Sequence, residues 1–455
     1  MVADYDDRLP DELLTSILDY ASLLEISYAS AVSRRWRAVA LDHPTYWQSI
    51  CIDSLSPRAS AFFNTRLERA RSRPIEVFVR FMATYFEDKN HELPDSLFQG
   101  IRRHIFHMKS LHLRMAFKYA EKMVEALSQP APILESLGID FYQPVGPSPF
   151  LRHEHVVLPA GLFANHAPKL TSLELRNAIT SSQASSCFAR VDYLALSFRF
   201  DPSDSEDSVP PDFAHFPSLK RLALAGHIPL AYLEKAPWRS LDQLIIERFA
   251  AYSPHWTLWR TWPLVDISYI GTDFVNDEVI TILGQHLQGR LDLHLGVQPG
   301  VCFFARFRSR LDGRRRMVRE FTRTAVAARD SYKGWDGKKP PPHDLFSRPL
   351  IVDRIVHLTM PATLWIRLTG YFAVLPALEE LVIPLHNAGE LSSLGDKRLV
   401  CPTLSSVTFL GIPSGAGVIR IQLADVSRFV ETFIECDILF NQRFENVDVV
   451  GSLTR

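Results

Sequence analysis

Pro168-Lys169-Leu170-Thr171-Ser172-Leu173-Glu174-Leu175, PKLTSLEL, sets apolar residues at its third, sixth and eighth positions with polar ones between them. The alternation at Leu173 and Leu175 reads as a short strand with one buried face. Pro168 marks the turn entering it, because proline cannot prolong a preceding helix. The phrase recurs as PILESLGI from Pro132, PSLKRLAL from Pro217, PALEELVI from Pro376 and PTLSSVTF from Pro402. Copies without the proline are MKSLHL from Met108, VDYLAL from Val191, LDQLII from Leu241, IVHLTM from Ile355 and FENVDV from Phe444. Between several of them, Lys118 to Leu127, Val279 to Leu287, Trp365 to Leu375 and Val426 to Leu439 read as helices. A strand with a helical return buries its face only by stacking on neighbouring copies.

This pattern resembles the leucine-rich repeat, and the resemblance implies an α/β solenoid. Its units would be uneven: Met108, Leu134, Leu170, Val191, Leu219 and Leu241, which open successive copies, lie 26, 36, 21, 28 and 22 residues apart. The family's asparagine, three positions after the last leucine, is replaced by Ala178, Arg199, His227 and Phe249. An irregular solenoid with poorly matched turns is therefore expected. Residues alternating with the buried leucines should meet a bound target: Glu174, Arg176, Tyr193, Arg221, Gln243, Glu247, His357, Thr359, Glu380 and Thr408. Their chemistry is mixed and names no ligand.

The 455 residues are 47% hydrophobic and 22% charged, ordinary material for a large core. Lys+Arg 50 against Asp+Glu 51 gives a net charge of -1, so no global field favours nucleic acid or an anionic membrane. The acidic start, Asp4, Asp6, Asp7, Asp11 and Glu12, is unlike a secretory signal, and no apolar run reaches the roughly 18 residues of a membrane span. Five widely spaced cysteines, with no C-x-x-C pair, fit reduced thiols. A soluble protein of the cytoplasm or nucleus is expected.

Near the N-terminus, Leu9-Pro10-Asp11-Glu12-Leu13-Leu14-Thr15-Ser16-Ile17-Leu18 reads as a helix opening. Pro10 suits the first turn, and Asp11 and Glu12 sit at the positive end of the helix dipole. Ala29, Val32, Ser33, Trp36, Val39 and Ala40 repeat the design at helical spacing. So small a unit buries too little surface alone and needs a neighbour, either the following domain or another protein.

The stretch from Leu9 to Trp47 resembles the F-box, through Leu9-Pro10, Glu12-Leu13-Leu14, Ile17-Leu18, Leu24, Ile26, Val32 and Trp36. Ser33 and Glu25 stand where that family often has Cys and Asp. The resemblance implies docking on Skp1, and through it on a cullin, by Leu9, Pro10, Leu13, Leu14, Ile17, Leu18, Ile26, Val32 and Trp36. F-box and uneven repeats together resemble the fungal F-box proteins with leucine-rich-repeat-like regions. The organisation expected is an F-box over 1–50, a connecting helix and first strand over 51–106, and a repeat region over 107–455 with a basic hairpin insertion at about 301–350. The function this implies is the non-catalytic substrate receptor of a Skp1-cullin-F-box ubiquitin ligase. A structural Skp1-bound protein and an unrecognised enzyme are the alternatives.

Catalytic signatures are missing: there is no G-x-S-x-G, phosphate loop, H-E-x-x-H or dinucleotide glycine pattern, and no cofactor or metal is called for. His153-Glu154-His155 reads as solvated loop, and Trp256, Trp259 and Trp262 as local core or a peptide anchor. Asp201 to Asp212, rich in Asp, Ser and Pro, lacks a core-forming pattern.

Val301 to Leu350 holds 13 basic and 5 acidic residues. Asp312-Gly313 between alternating runs signals a two-residue hairpin turn. Pairing Leu311 with Arg314 would put Arg306, Arg308, Arg310, Arg315 and Arg319 on one face, where carboxylates or a bound anion should offset them. Two readings follow: a solvated edge hairpin that discourages aggregation, or a receptor for an acidic or phosphorylated segment.

Overall fold

The computed structural model describes residues 9–54, 56–81, 95–142, 155–181, 183, 185–198, 213–226, 237, 240–247, 266–271, 285–298, 301–310, 318–324, 348–365, 369, 374–392, 398–412, 417–437 and 439–451. The chain forms two compact units, Met1–Pro237 and Trp238–Arg455.

The first unit opens on four short helices, α1 (Asp11–Leu18), α2 (Leu23–Ala29), α3 (Arg34–Asp42) and α4 (Pro44–Gln48). Pro10 lies just before α1 rather than inside it, and its carbonyl accepts from the Leu13 and Leu14 amides. The helical spacing from Ala29 to Ala40 proves to be broken. Ser22 caps α2 in a reciprocal pair with Glu25, and Ser33 starts a separate α3 by accepting from the Trp36 amide at 3.2 Å. Two serine caps thus make three helices of a stretch whose apolar spacing suggested two.

Next come β1 (Ser49–Ile52), α5 (Pro57–Ala70), β2 (Ile75–Arg80), α6 (Asp95–His104), β3 (Met108–Ala116), α7 (Ala120–Ala126) and β4 (Ser136–Tyr142). After them follow β5 (Val156–Leu158), β6 (Ser172–Arg176), β7 (Ala178–Thr180), β8 (Tyr193–Phe198) and β9 (Arg221–Gly226). The sheet runs β1-β2-β3-β4-β6-β8-β9, all parallel, with each strand beside the next in sequence; β5 and β7 pair separately.

The leucine phrases lie where the alternation put them. Leu134, Leu137, Leu170, Leu173, Leu175, Leu194, Leu196, Leu222 and Leu224 are all buried. Turn hydroxyls tie one copy to the one before it: Thr171 Oγ1 donates to the Glu135 carbonyl at 3.3 Å and Ser218 Oγ to the Ala189 carbonyl at 2.8 Å. Asn177, two residues beyond Leu175, takes a left-handed conformation with φ 52, and its Nδ2 donates to the Phe141 carbonyl at 2.6 Å. It supplies a cross-strand link one position earlier than the family pattern would place an asparagine.

The second unit comprises β10 (Gln243–Glu247), β11 (Asp266–Gly271), β12 (Arg290–Gln298), β13 (Val301–Arg310) and β14 (Val318–Thr324), then α8 (Pro349–Val352), β15 (Ile355–Thr359) and β16 (Glu380–Leu385). It ends with β17 (Leu399–Val400), β18 (Ser406–Gly411), β19 (Ile419–Gln422), α9 (Leu423–Phe433), β20 (Ile434–Glu435), β21 (Asn441–Glu445) and β22 (Val447–Val450). Its main sheet runs β10-β11-β14-β13-β12-β15-β16-β18-β21, with β17–β20 and β19–β22 as separate pairs. Among the described residues, parallel pairing is interrupted at β12-β13 and β13-β14, which are antiparallel.

Several expectations need correcting. The basic hairpin exists but is not at an edge, since β14 also pairs with β11 and β13 with β12. Its register is one residue off the turn-based pairing: Arg306 faces Glu320, Phe307 faces Arg319 and Arg308 faces Val318. A one-residue shift sends every side chain of a strand to the other face. Arg319 accordingly sits fully buried, beside Phe307 and Ile267 in register. The helix read from Val426 to Leu439 stops at Phe433, where β20 begins. FENVDV, read as one half-buried strand, is split at Asn446, with φ 54, into β21 and β22, and β21 is exposed throughout. Most of 279–287 and 365–375, the tryptophan series, the acidic stretch 201–212 and the turn at 312–313 lie outside the described residues.

Candidate functional site

The helices of α1 to α4 divide their apolar residues between two surfaces. Leu18, Ile26 and Ala40 form a small core against which Ala21, Ala29, Trp36, Val39 and Tyr46 pack, and Leu14 is buried as well. Leu13 and Ile17, one position before Leu14 and Leu18, look outward with 51% and 50% of their surface exposed. Residues four apart share a helix face, so α1 carries one apolar stripe inward and another outward. Leu9, Tyr20, Leu24, Tyr28 and Val32 are exposed as well.

Polar contacts hold the frame of this surface. The Arg35 guanidinium pairs with the Asp11 carboxylate at 2.7 Å and also donates to the Leu9 carbonyl. His43, buried beneath the helices, lies 3.1 Å from Asp19 through Nε2. Arg73 reaches back to the Asp42 carboxylate at 2.7 Å. An exposed apolar patch on a framework fixed in this way is what a protein interaction surface looks like.

Residues 6–53 match the F-box-like family. No curated protein matches the chain. Of the F-box-like residues assigned to Skp1 from sequence, Leu9, Pro10, Leu13, Ile17 and Val32 are exposed. Leu14, Leu18 and Ile26 are buried in the helical core, so they support the surface and do not form it. Trp36 is half-buried against that core. Tyr20, Leu24 and Tyr28 belong to the exposed set although they were not singled out as contacts; the four-residue step from Leu24 to Tyr28 was the available sign.

The expected target-binding residues are scattered. Glu174, Arg176, Tyr193 and Arg221 lie on the open face of the first unit's sheet, and Arg221 pairs with Asp192 at 3.0 Å. Gln243 and Glu247 occupy β10. His357 Nδ1 lies 3.0 Å from Glu380 Oε2, with its Nε2 3.2 Å from Thr359 Oγ1, so these three already engage one another. Thr408 is 4% exposed and Arg319 is fully buried, so neither is open to a target.

Arg306 and Arg308, at alternate positions of β13, share a face, but Arg319, in register with Phe307, does not join them. Arg310 is in register with Arg290, and Arg315 lies outside the described residues. Arg306 and Arg308 stand in register with Glu320 and Asp292. Phe78, Arg80, His112 and Arg114, at alternate positions of β2 and β3, line the first unit's open face beside Glu174 and Arg176. Their signal was the alternation itself, in IEVFVR and MKSLHLRM. Among the described residues, no three His, Cys, Asp or Glu side chains are grouped to hold a metal.

Proposed function

We propose that this chain is a Skp1-docking adaptor that recruits a target protein to a Skp1-cullin-F-box ubiquitin ligase, with the target held by a leucine-rich-repeat-like strand region. The observation that carries the reading is the exposure of Leu13, Ile17, Leu24, Tyr28 and Val32 on the segment that matches the F-box-like family. Apolar surface of this kind is stabilised by covering it, at about 25 cal/mol per Å² removed from water. The adaptor works by proximity: it holds a target lysine near a separate conjugating enzyme and needs no catalytic residue of its own. The reading includes action in the cytoplasm or nucleus and kinship with the fungal F-box proteins that carry such repeats.

Leu13→Asp with Ile17→Asp tests it. Both side chains are exposed, so the variant should keep its circular dichroism and melting profile while co-purification with Skp1 is lost. Skp1 binding that survives the double substitution would sink the docking surface. A second reading, a structural Skp1-bound protein, shares that surface. It is separated by reconstituting the ligase with a co-purified target and looking for ubiquitin transfer.

A further inference from the structure

On the open face of the first unit's sheet, strand register assembles two rows that the chain itself disperses over about a hundred residues. The upper row is Arg80, Arg114, Asp140 and Arg176, each the Cα partner of the next across β2, β3, β4 and β6. The lower row is Phe78, His112, Gly138 and Glu174 in the same order. Together they line a concave pocket of about 350 Å³.

Each row has a physical character. The row holds three guanidinium groups and one carboxylate, which pairs with the middle one: Asp140 lies 3.3 Å from Arg114 Nε, while Arg80 leans over the Phe78 ring at 5.0 Å. Among the described residues no carboxylate is paired with Arg80 or Arg176. Arg80 and Arg114 are like charges in direct register, unfavourable by roughly 0.2 to 1 kcal/mol, while Asp140 stands between Arg114 and Arg176 and leaves the row with a surplus of positive charge. Below it, Phe78 and His112 stack with ring centroids 5.1 Å apart and planes 6° from parallel. Gly138 makes that possible, since a Cβ there would stand 2.3 Å from His112 Nδ1. Burial holds the His112 imidazole below its ordinary range, opposed by Glu174, so the ring adds a flat neutral surface rather than a fourth cation.

We propose that this pocket binds an extended acidic segment of a target protein. The segment places a carboxylate or phosphate on Arg80, Arg114 and Arg176 and an apolar side chain on Phe78 and His112. Charge complementarity names the occupant: the upper row has two positive charges more than it neutralises, and guanidinium groups recognise oxyanions through paired, charge-assisted hydrogen bonds. Its span, three strand spacings or ~14 Å, matches about four residues of extended chain. Glu174, at the end of the lower row, repels a second anion there and favours a hydrogen-bond donor, which gives the bound segment a direction. The proposal rests on the adaptor reading for its target, but its test does not depend on Skp1.

The probe is a set of fluorescein-labelled heptapeptide pools with a fixed central Glu, phosphoserine, Ser or Lys and degenerate non-acidic flanks, titrated against the full chain by fluorescence anisotropy at low salt. The Glu or phosphoserine pool should bind at least about tenfold more tightly than the Ser and Lys pools, and the preference should fall as salt is raised. Which acidic pool is preferred decides between carboxylate and phosphate. Arg80→Gln with Arg176→Gln, both exposed, should abolish the preference without moving the melting temperature, whereas Lys220→Gln, exposed in the first unit but outside both rows, should keep it. Equal binding of acidic and Lys pools, or a preference that persists in the double variant, would overturn the site. Acid selectivity without Skp1 binding would leave the site standing and remove the adaptor reading; Skp1 binding without acid selectivity would do the reverse.

Discussion

Arg319 shows how much one position in a strand decides. Counted from Asp312-Gly313 as a two-residue turn it would have stood among exposed arginines; one residue of register makes it the partner of Phe307 instead. Burial lowers its pKa to about 10, with Asp266 opposing the shift. Arg319→Met removes the desolvated charge but also its hydrogen bonds to the Val318 carbonyl and His286, so it should destabilise less than Arg319→Glu in urea unfolding. Arg319→Glu puts an anion into the same interior beside Asp266, and should cost about 3 kcal/mol or more in urea unfolding. A cheap Arg319→Glu would mean that the side chain reaches water. The turn signal was legible in the sequence, but the register was not. Neighbouring strands on both sides, β11 and β12, select it by what they bury, and neither enters the local turn signal.

At the scale of elements, the end of α6 carries a pH-sensitive junction. His107, buried after the helix, donates from Nδ1 to the Arg73 carbonyl at 2.8 Å, leaving Nε2 to accept from His104 Nδ1 at 3.1 Å. His107 fits this chain of bonds only when neutral, because its Nε2 must accept, and the bond between the rings is lost once both are protonated. Burial lowers both pKa values; the neighbouring imidazole and Arg103 lower that of His104 further, while the Arg73 carbonyl partly raises that of His107. With folded pKa values below the unfolded one of 6.5, the unfolded chain binds protons first. The stabilisation is complete above 6.5 and is lost as pH falls from there through the folded values. Melting temperature should therefore drop between pH 7 and pH 5, and by less in His104→Ala, which removes one of the two coupled rings. An unchanged pH slope in that variant would show that the junction does not titrate. Element identity was largely readable from apolar spacing, as in α1 and in PKLTSLEL. The break between α2 and α3 was not, because Ser33 reads as a helix interior until its hydroxyl is seen to cap the next helix.

Across the whole molecule, a net charge of -1 and a pI of about 7.0 leave little repulsion between copies at neutral pH. Proteins near zero net charge associate when they expose apolar patches. The chain purified alone should therefore form concentration-dependent oligomers at pH 7, read by light scattering after size exclusion. Leu13→Asp with Ile17→Asp should shift it toward monomer, as should saturation with Skp1. Oligomers that persist in the variant would place the contact elsewhere on the surface.

The sequence by itself determined the F-box-like opening and the series of short buried strands, because both are written in local spacing that needs no distant partner to read: Leu13-Leu14 with Ile17-Leu18 in one case, Leu170, Leu173 and Leu175 in the other. Only the tertiary structure decided which of those leucines serve the interior and which the surface. It also decided the register that buries Arg319, and the row that sets Arg80, Arg114, Asp140 and Arg176 side by side. The physical reason is common to all three. Burial and pairing are set by which segments become neighbours, and segments tens of residues apart are brought together by the packing of the whole sheet rather than by anything in their own few residues.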